Sequence, residues 1–503
     1  MGLVDSIWAQ YLKLPKFEID HFIENPHEVQ WKQLQRIIQL SSYSEWGIKY
    51  NFSAISNIEE WKNTLPVFEY DELKSNIQRM MKGEENILWP GRIHNYAKSS
   101  GTTSDKSKFI PITHENHKDN HTKGGLRLMA IIYDLIEDPA ILDGKSILLT
   151  GSVQTHSEMY PDSMIGDVSA VIYKNLSAVL KSFVVPGESF NLLEDSEKKL
   201  DIIAEKSIKE DVRFLAGSPT WVLILCKKLL ALTGKKTIIE IWPNFKVLVH
   251  GAVSFVPYRK SFEELFPTES VHFIETYNAS EGYFAIQDQL KSDELLLLLD
   301  VGIFYEFIPM DELGKKKPRT CILNEVELNK NYALVISTNS GLYRYIVGDT
   351  IQFTCLNPFR IKITGRIKQF INVFGEELMV SNTDEAIKIA CDHFKLKIKE
   401  YTVAPIFQDP ETKGGHEWII EFESNPEDSE AFADFLDLTL QNLNSDYEAK
   451  RFKSLAMGRL KLHISKPDCF KEWMKATNRI GAQKKVPRLA NHRSFLEEIL
   501  KFA

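Results

Sequence analysis

From residue 4 to residue 50 apolar side chains recur at helical intervals, among them Ile7, Tyr11, Leu12, Phe22, Trp31, Leu34 and Ile38, and predict amphipathic helices. Trp61 to Met81 reads as helix interrupted near Pro66. Residues 92 to 98 then alternate apolar and polar, the period of a half-buried strand, and Phe109-Ile110-Pro111-Ile112 opens a second apolar run. A long helix is predicted from about His114 to Glu137, with Thr113 placed to cap it. On that helix His117 and His121 fall four apart, a metal-binding spacing, but without a supporting carboxylate or third histidine they read as a solvated face.

Between 145 and 300 short apolar runs alternate with helical stretches. The strand candidates are 146–150, 214–216, 246–250 and 272–276, separated by helical patterns near 166–182, 195–210, 218–233 and 257–266. Pro219, just after Ser218, marks a helix start. This alternation predicts an α/β domain with a largely parallel sheet. Residues 295 to 364 change character: strand follows strand with little helix, which predicts an antiparallel or distorted barrel-like sheet beside the α/β core. Beyond Lys368 comes a strand at 370–373, a helix at 383–394 with Ser381 and Asp384 as a capping box, strands at 398–407 and 418–422, a helix at 428–443 and a strand at 459–464. That order is βαββαβ, a ferredoxin-like α+β unit. The expected division is a large domain over 1–368 and a smaller one over 369–503.

Composition narrows the class. Hydrophobic content of 43% with 26% charged residues belongs to globular proteins, and the strongest apolar run, Leu295 to Leu299, is too short to span a bilayer. The start lacks the basic-then-apolar order of a signal peptide. Five scattered cysteines show neither zinc spacing nor a disulfide framework and predict buried thiols in a reducing compartment, the cytoplasm. A net charge of -8 argues against a nucleic-acid partner, but it is unevenly spread. From Lys450 to Ala503 there are 14 Lys and Arg against 4 Asp and Glu, so this basic segment calls for an anionic partner.

Candidate chemistry lies at the ends of the predicted strands. The stretch Ser99-Ser100-Gly101-Thr102-Thr103-Ser104-Asp105-Lys106-Ser107-Lys108 is rich in hydroxyls, holds one glycine and two lysines, and carries nothing large or apolar. Its backbone N–H groups, hydroxyls and cations suit a phosphate, although it is not a Walker loop; an ordinary solvated hairpin turn is the alternative. The run Tyr277-Asn278-Ala279-Ser280-Glu281 follows a sheet strand, where ligands gather, with an aromatic ring for a base and a carboxylate for Mg2+. Gly348-Asp349 ends the aromatic run Tyr343-Arg344-Tyr345 and could grip two ribose hydroxyls; a bare turn is the alternative. Gly365-Arg366 follows at the proposed boundary.

Taken in order, Tyr96-Ala97-Lys98-Ser99-Ser100-Gly101-Thr102-Thr103, Tyr277 with Ser280-Glu281-Gly282, Tyr343-Arg344-Tyr345 with Gly348-Asp349, and Gly365-Arg366 resemble the adenylate-forming superfamily of acyl-CoA synthetases and luciferases. His250 to Arg259 and Gln483-Lys484-Lys485-Val486-Pro487-Arg488 point to one branch, the auxin-responsive promoter family, whose plant members are acyl-acid amido synthetases. The resemblance is to a member from outside the plants; the chain is shorter than typical plant members and lacks a lysine beside Glu377.

The resemblance implies an ATP-dependent ligase that adenylates a carboxylic acid and passes the acyl group to the amine of an amino acid. Ser99, Ser100, Gly101, Thr102, Thr103 and Lys108 would hold phosphates, and Tyr277, Asn278, Ala279 and Ser280 would cradle adenine. Glu281 would bind Mg2+, Asp349 with Arg366 nearby would bind the ribose, and Lys485 would reach the α-phosphate or the acyl oxygen from a mobile lid swinging about Arg366 to Lys368. Thr150 to His156 and Ser218 to Leu223 are candidate walls of the acid pocket. CoA in place of the amine is the nearest alternative, and a non-catalytic nucleotide-binding protein is a third; no membrane partner is expected.

Overall fold

The computed structural model describes residues 2–99, 108–154, 162–188, 193, 196–252, 255, 258–367, 370–371, 373, 376, 378–407, 414–451, 457–477, 479 and 485–503. The described residues divide into two compact units: one runs to Lys362 without Gly348–Thr350, and the other comprises Gly348–Thr350 and the chain from Ile363 to Ala503.

The first unit opens with the predicted helices, Leu3–Tyr11, Lys13–Glu24 and Pro26–Ser41, and the break at Pro66 separates Ile58–Thr64 from Tyr70–Met81. The latter helix starts at a reciprocal cap in which Glu69 N donates to Glu72 Oε2 at 2.8 Å. Strand β1 (Asn95–Ser99) pairs antiparallel with β2 (Lys108–Ile112), and Ser99 stands opposite Lys108. The hydroxyl-rich residues 100–107 between them lie outside the described residues.

The remaining strands in chain order are β3 (Lys145–Leu148), β4 (Val153–Gln154), β5 (Met164–Gly166), β6 (Val212–Ala216), β7 (Val247–Gly251), β8 (His272–Ala279), β9 (Gly282–Ile286), β10 (Leu295–Leu297), β11 (Ile303–Pro309), β12 (Asn331–Thr338), β13 (Tyr345–Leu356) and β14 (Phe359–Arg366). A four-stranded sheet has the order β2-β1-β5-β4, and a ten-stranded sheet the order β11-β12-β13-β14-β10-β9-β8-β7-β6-β3. Strands β3, β6, β7 and β8 are mutually parallel, as the alternation predicts, and antiparallel pairing begins at β9. The parallel strands are apolar at successive positions because both faces are covered. In β7, Val247 and Val249 enter one core cluster and Leu248 enters another.

The predicted helix after Thr113 is modified. Thr113 caps it, with Asn116 N donating to its Oγ1 at 2.9 Å, but His117–Thr122 is a π-helical segment before the α-helix Lys123–Leu135. The segment packs on β9 and on the helix Val168–Lys174. His121 is therefore buried rather than solvated, with neither ring nitrogen partnered among the described residues, and burial lowers its imidazole to about 3.

In the second unit β17 (Ile398–Ile406), β18 (Gly415–Phe422) and β19 (Lys461–Ile464) form a three-stranded sheet, preceded by the hairpin of β15 (Phe370–Ile371) and β16 (Leu378–Met379). The strand expected at 370–373 thus pairs locally instead of joining the larger sheet. The helices Val380–Phe394 and Ser429–Leu443 stand close to prediction, but the first is capped at Met379, whose N–H donates to Asn382 Oδ1 at 3.0 Å. Asp384 lies inside that helix, buried, and serves another purpose described below. Trp418 and Ile420 of β18 point into one cluster and Ile419 into another, so this sheet is also covered on both faces.

Candidate functional site

In the first unit three predicted stretches converge. Phe68 N donates to Arg344 O and Ile346 N donates to Phe68 O, both at 2.9 Å, which fixes Tyr345 between them. Tyr70 opens its helix with its hydroxyl accepting from Phe109 N at 2.7 Å, so the helix start anchors the beginning of β2. These two tyrosines frame Lys108: its ammonium lies 5.6 Å from the Tyr70 ring centre and 5.8 Å from that of Tyr345, distances of cation–π contact.

Lys108 Nζ also donates to Tyr345 Oη at 3.3 Å, and Tyr345 Oη donates onward to Glu281 Oε1 at 3.5 Å. Glu281 is buried at the turn joining β8 to β9, where Ala279 faces Gly282. That turn is fastened from behind by the buried Asn120, whose Oδ1 accepts from Tyr283 N at 2.8 Å and whose Nδ2 donates to Val301 O at 2.9 Å. A lysine, a phenol and a carboxylate thus form a continuous polar line.

Tyr277 and Ser280 are buried on the same hairpin, and Tyr277 meets Phe284 edge to face at 4.8 Å between ring centres. Asn278 and Ala279 are half-exposed, and Asn278 Oδ1 is buried with no hydrogen-bond partner among the described residues. A buried acceptor left open is costly unless a ligand donor meets it, and the exocyclic amine of adenine is such a donor.

The motif Tyr343-Arg344-Tyr345 divides into three roles. Tyr343 packs among Trp46, Phe52 and Trp61, Tyr345 belongs to the polar line, and Arg344 is structural. The Arg344 guanidinium binds Glu306 through Nε and Nη2, at 3.0 and 2.9 Å, and donates to Thr320 Oγ1 and the backbone oxygens of Lys62 and Leu65.

The second unit holds the other group. Gly348 has φ +101, a conformation that favours glycine, and its carbonyl accepts from Ile367 N at 3.0 Å. Asp349, next in the chain, is buried and lies 3.1 Å from Arg366 Nε. Lys485 belongs to the same unit. Desolvation and repulsion from Arg366 and Arg488, partly offset by Asp349, lower its ammonium to about 7. Lys485 as a residue remains exposed, and the two guanidiniums lower its ammonium in the same direction as desolvation.

Of the expected site residues, the structure brings Lys108 and Glu281 together through Tyr345, and joins Asp349, Arg366 and Lys485 in one electrostatic neighbourhood. Ser99 closes β1, while Ser100, Gly101, Thr102 and Thr103 fall outside the described residues, as does Lys368. Among the described residues no three His, Cys, Asp or Glu side chains cluster at metal distance. Tyr70, Asn120 and Tyr345 escaped the sequence reading; Tyr345 stood inside a noted motif, whereas nothing local marked Tyr70 or Asn120. The wall expected at Thr150 has a support that was also missed. The buried Lys199 donates to Thr150 O at 2.9 Å and Gly151 O at 2.8 Å, and burial lowers its ammonium to about 8.

Comparison with known proteins follows the same lines. AtGH3.15 acyl acid amido synthetase in complex with 2,4-DB superposes with a TM-score of 0.79 at 17% identity, covering 98% of this chain and 96% of that one. 2-Hydroxyisobutyryl-CoA ligase in a postadenylation state gives a TM-score of 0.57 at 13% identity, over 94% and 91% of the two chains. By sequence, indole-3-acetic acid-amido synthetase GH3.3 of Arabidopsis thaliana is 24% identical, over 95% of this chain and 92% of its own length. Jasmonoyl--L-amino acid synthetase GH3.5 of Oryza sativa subsp. japonica is 23% identical, over 94% of each. The family models of the GH3 N-terminal, central and C-terminal domains match residues 16–271, 296–366 and 381–494. The first match alone spans half the chain and the three follow in order, so the chain belongs to the GH3 family and has the fold of the adenylating ligases.

Proposed function

We propose that this protein is an ATP-dependent acyl-acid amido synthetase. The observation that carries the reading is the line Lys108–Tyr345–Glu281, which sets a fixed cation and a buried carboxylate on either side of one hydroxyl. In the first half-reaction a substrate carboxylate oxygen bonds to the α-phosphorus of ATP, the bond to the β-phosphate oxygen breaks, and pyrophosphate leaves. In the second, an amine nitrogen bonds to the acyl carbon, the bond from that carbon to the phosphate oxygen breaks, AMP leaves and the amine loses a proton. The first step brings two anions together, so it needs cations and donors aimed at the developing charge.

In this reading Ser99, Ser100, Gly101, Thr102, Thr103 and Lys108 bind the β- and γ-phosphates. Tyr277, Asn278, Ala279 and Ser280 receive adenine, and the open Asn278 acceptor supports that assignment. Asp349, braced by Arg366, takes the ribose hydroxyls, and Lys485 reaches the α-phosphate. Glu281 fits Mg2+, a hard ion commonly held by one or two carboxylates together with substrate phosphates; bound there it would neutralise phosphate charge. Residues 1–368 form the adenylating body and 369–503 the lid. Five free cysteines, four of them buried, support the cytoplasm as the compartment.

Acid-dependent ATP–pyrophosphate exchange across a panel of carboxylic acids tests the reading, followed by product analysis with amino acids or CoA. Exchange with at least one acid and an amide product are expected, and Glu281→Ala should remove the exchange. No exchange with any acid overturns the enzyme reading, and a thioester without amide selects the acyl-CoA ligase.

A further inference from the structure

Lys485 stands immediately before a segment fastened to the second unit from several directions. Val486 packs among Ala404, Ile419 and Trp473, whereas Leu489 enters the cluster of Tyr401, Val403 and Trp418. Between these anchors Val403 N donates to Arg488 O at 2.8 Å and Thr402 Oγ1 donates to Pro487 O at 2.6 Å, so the segment lies along β17 like a further strand. The backbone and the apolar anchors already hold it there.

The Arg488 side chain adds a fork. One terminal nitrogen pairs with Asp384 Oδ1 and the other lies 3.4 Å from Glu400 Oε1. The guanidinium lies 4.6 Å from the centre of the Tyr401 ring, and Tyr401 Oη donates to the same Asp384 oxygen at 2.6 Å. Helix Val380–Phe394 and strand β17 are thus pinned to the stretch that presents Lys485. Arginine suits this because its planar fork reaches two carboxylates and an aromatic face at once.

We propose that Arg488 is a positioning residue for Lys485: its fork on Asp384 and Glu400, laid against Tyr401, fixes the segment from which the Lys485 ammonium meets the substrate phosphate. This rests on the adenylating reading above. Arg488 is also, with Arg366 and Asp349, among the charged groups that act on the Lys485 ammonium. Removing it releases both the aim of Lys485 and part of the repulsion on its charge.

The experiment uses the full chain with Arg488→Met and Arg488→Lys. Adenylation is read by pyrophosphate exchange and transfer by the reaction of amine with a supplied acyl-adenylate. Arg488→Met is expected to slow adenylation by about 10- to 100-fold, the cost of a misplacement of order 1 Å, and to change transfer less than about threefold. Arg488→Lys keeps the charge without the fork and should fall between. Separately, pH-dependent amine labelling of Lys485, read by mass spectrometry, should have its midpoint near 7 in the natural chain and move upward in Arg488→Met, because a repelling cation has gone. Glu400→Gln leaves Arg488 and Asp384 in place and should give a weaker form of the same split if Arg488→Met fails to fold. Equal loss in both half-reactions, or an unmoved labelling midpoint, overturns the positioning role. A moved midpoint in a protein with no exchange upholds Arg488 and overturns the adenylating reading instead.

Discussion

Two candidate lysines, one in each unit, are held in opposite ways. Lys108 stands between two aromatic faces and donates to Tyr345, which connects it to a buried carboxylate. Lys485 feels the charges of Arg366, Arg488 and Asp349, and its ammonium is lowered to about 7. A cation in the first setting is a fixed feature of the frame. In the second setting its charge is close to balance at neutral pH and responds to whatever anion arrives. Under the proposed function the difference would separate their tasks: Lys108 would hold phosphate charge that exists throughout, and Lys485 would offset charge that matters while the carboxylate attacks.

The strongest way to break the fixed side is to remove its scaffold. Arg344→Leu leaves Glu306 buried without its cation and is expected to cost about 3–5 kcal/mol of stability, read by denaturant unfolding. An unchanged midpoint would mean that Arg344 does not hold the Tyr345 strand. Lys485→Ala breaks the responsive side, and adenylation should fall about 10²–10³-fold while transfer from supplied acyl-adenylate stays within about threefold. Lys108→Met should also slow adenylation, by about 10²-fold, chiefly by weakening ATP binding, so KM for ATP should carry most of the loss. If the two lysine variants behave alike in KM and kcat, the division of tasks is wrong.

Finer effects sharpen the comparison. Tyr345→Phe removes one hydroxyl between Lys108 and Glu281 and should cost roughly 1 kcal/mol, about fivefold in exchange rate. The smallest effect is in pH dependence. A lysine must be protonated to offset phosphate charge, so with its ammonium lowered to about 7, kcat/KM for adenylation should decline as pH rises through about 7. Bound ATP adds negative charge and should move the corresponding limb of kcat to higher pH. Lys485→Ala should abolish the limb and Lys108→Met should retain it.

The sequence announced the parallel sheet through apolar runs buried on both faces, and the strand before the hydroxyl-rich stretch through alternation; Ser99 and Lys108 stand opposite each other where the two flanking strands pair. The order of motifs identified the family, whose three domain models match in sequence. What it hid depends on distant partners. Tyr343, Arg344 and Tyr345 are adjacent letters with three unrelated tasks, and Glu306, which decides the task of Arg344, lies 38 residues away. Asp384 read as a helix cap because caps are local, whereas its partner Arg488 is 104 residues distant. His121 sits in a polar run that signals solvent, but the π-helical turn and the packing of β9 bury it.

Isotope transfer tests the central claim most directly. A carboxylic acid substrate carrying 18O in both carboxylate oxygens is converted with ATP and an amino acid, and the nucleotide product is analysed by mass spectrometry. An acyl-adenylate requires that one labelled oxygen remain on phosphorus when the amine displaces it, so AMP should carry one 18O per amide formed. Label in inorganic phosphate with ADP as the nucleotide product, or amide formation with unlabelled AMP, would contradict the account.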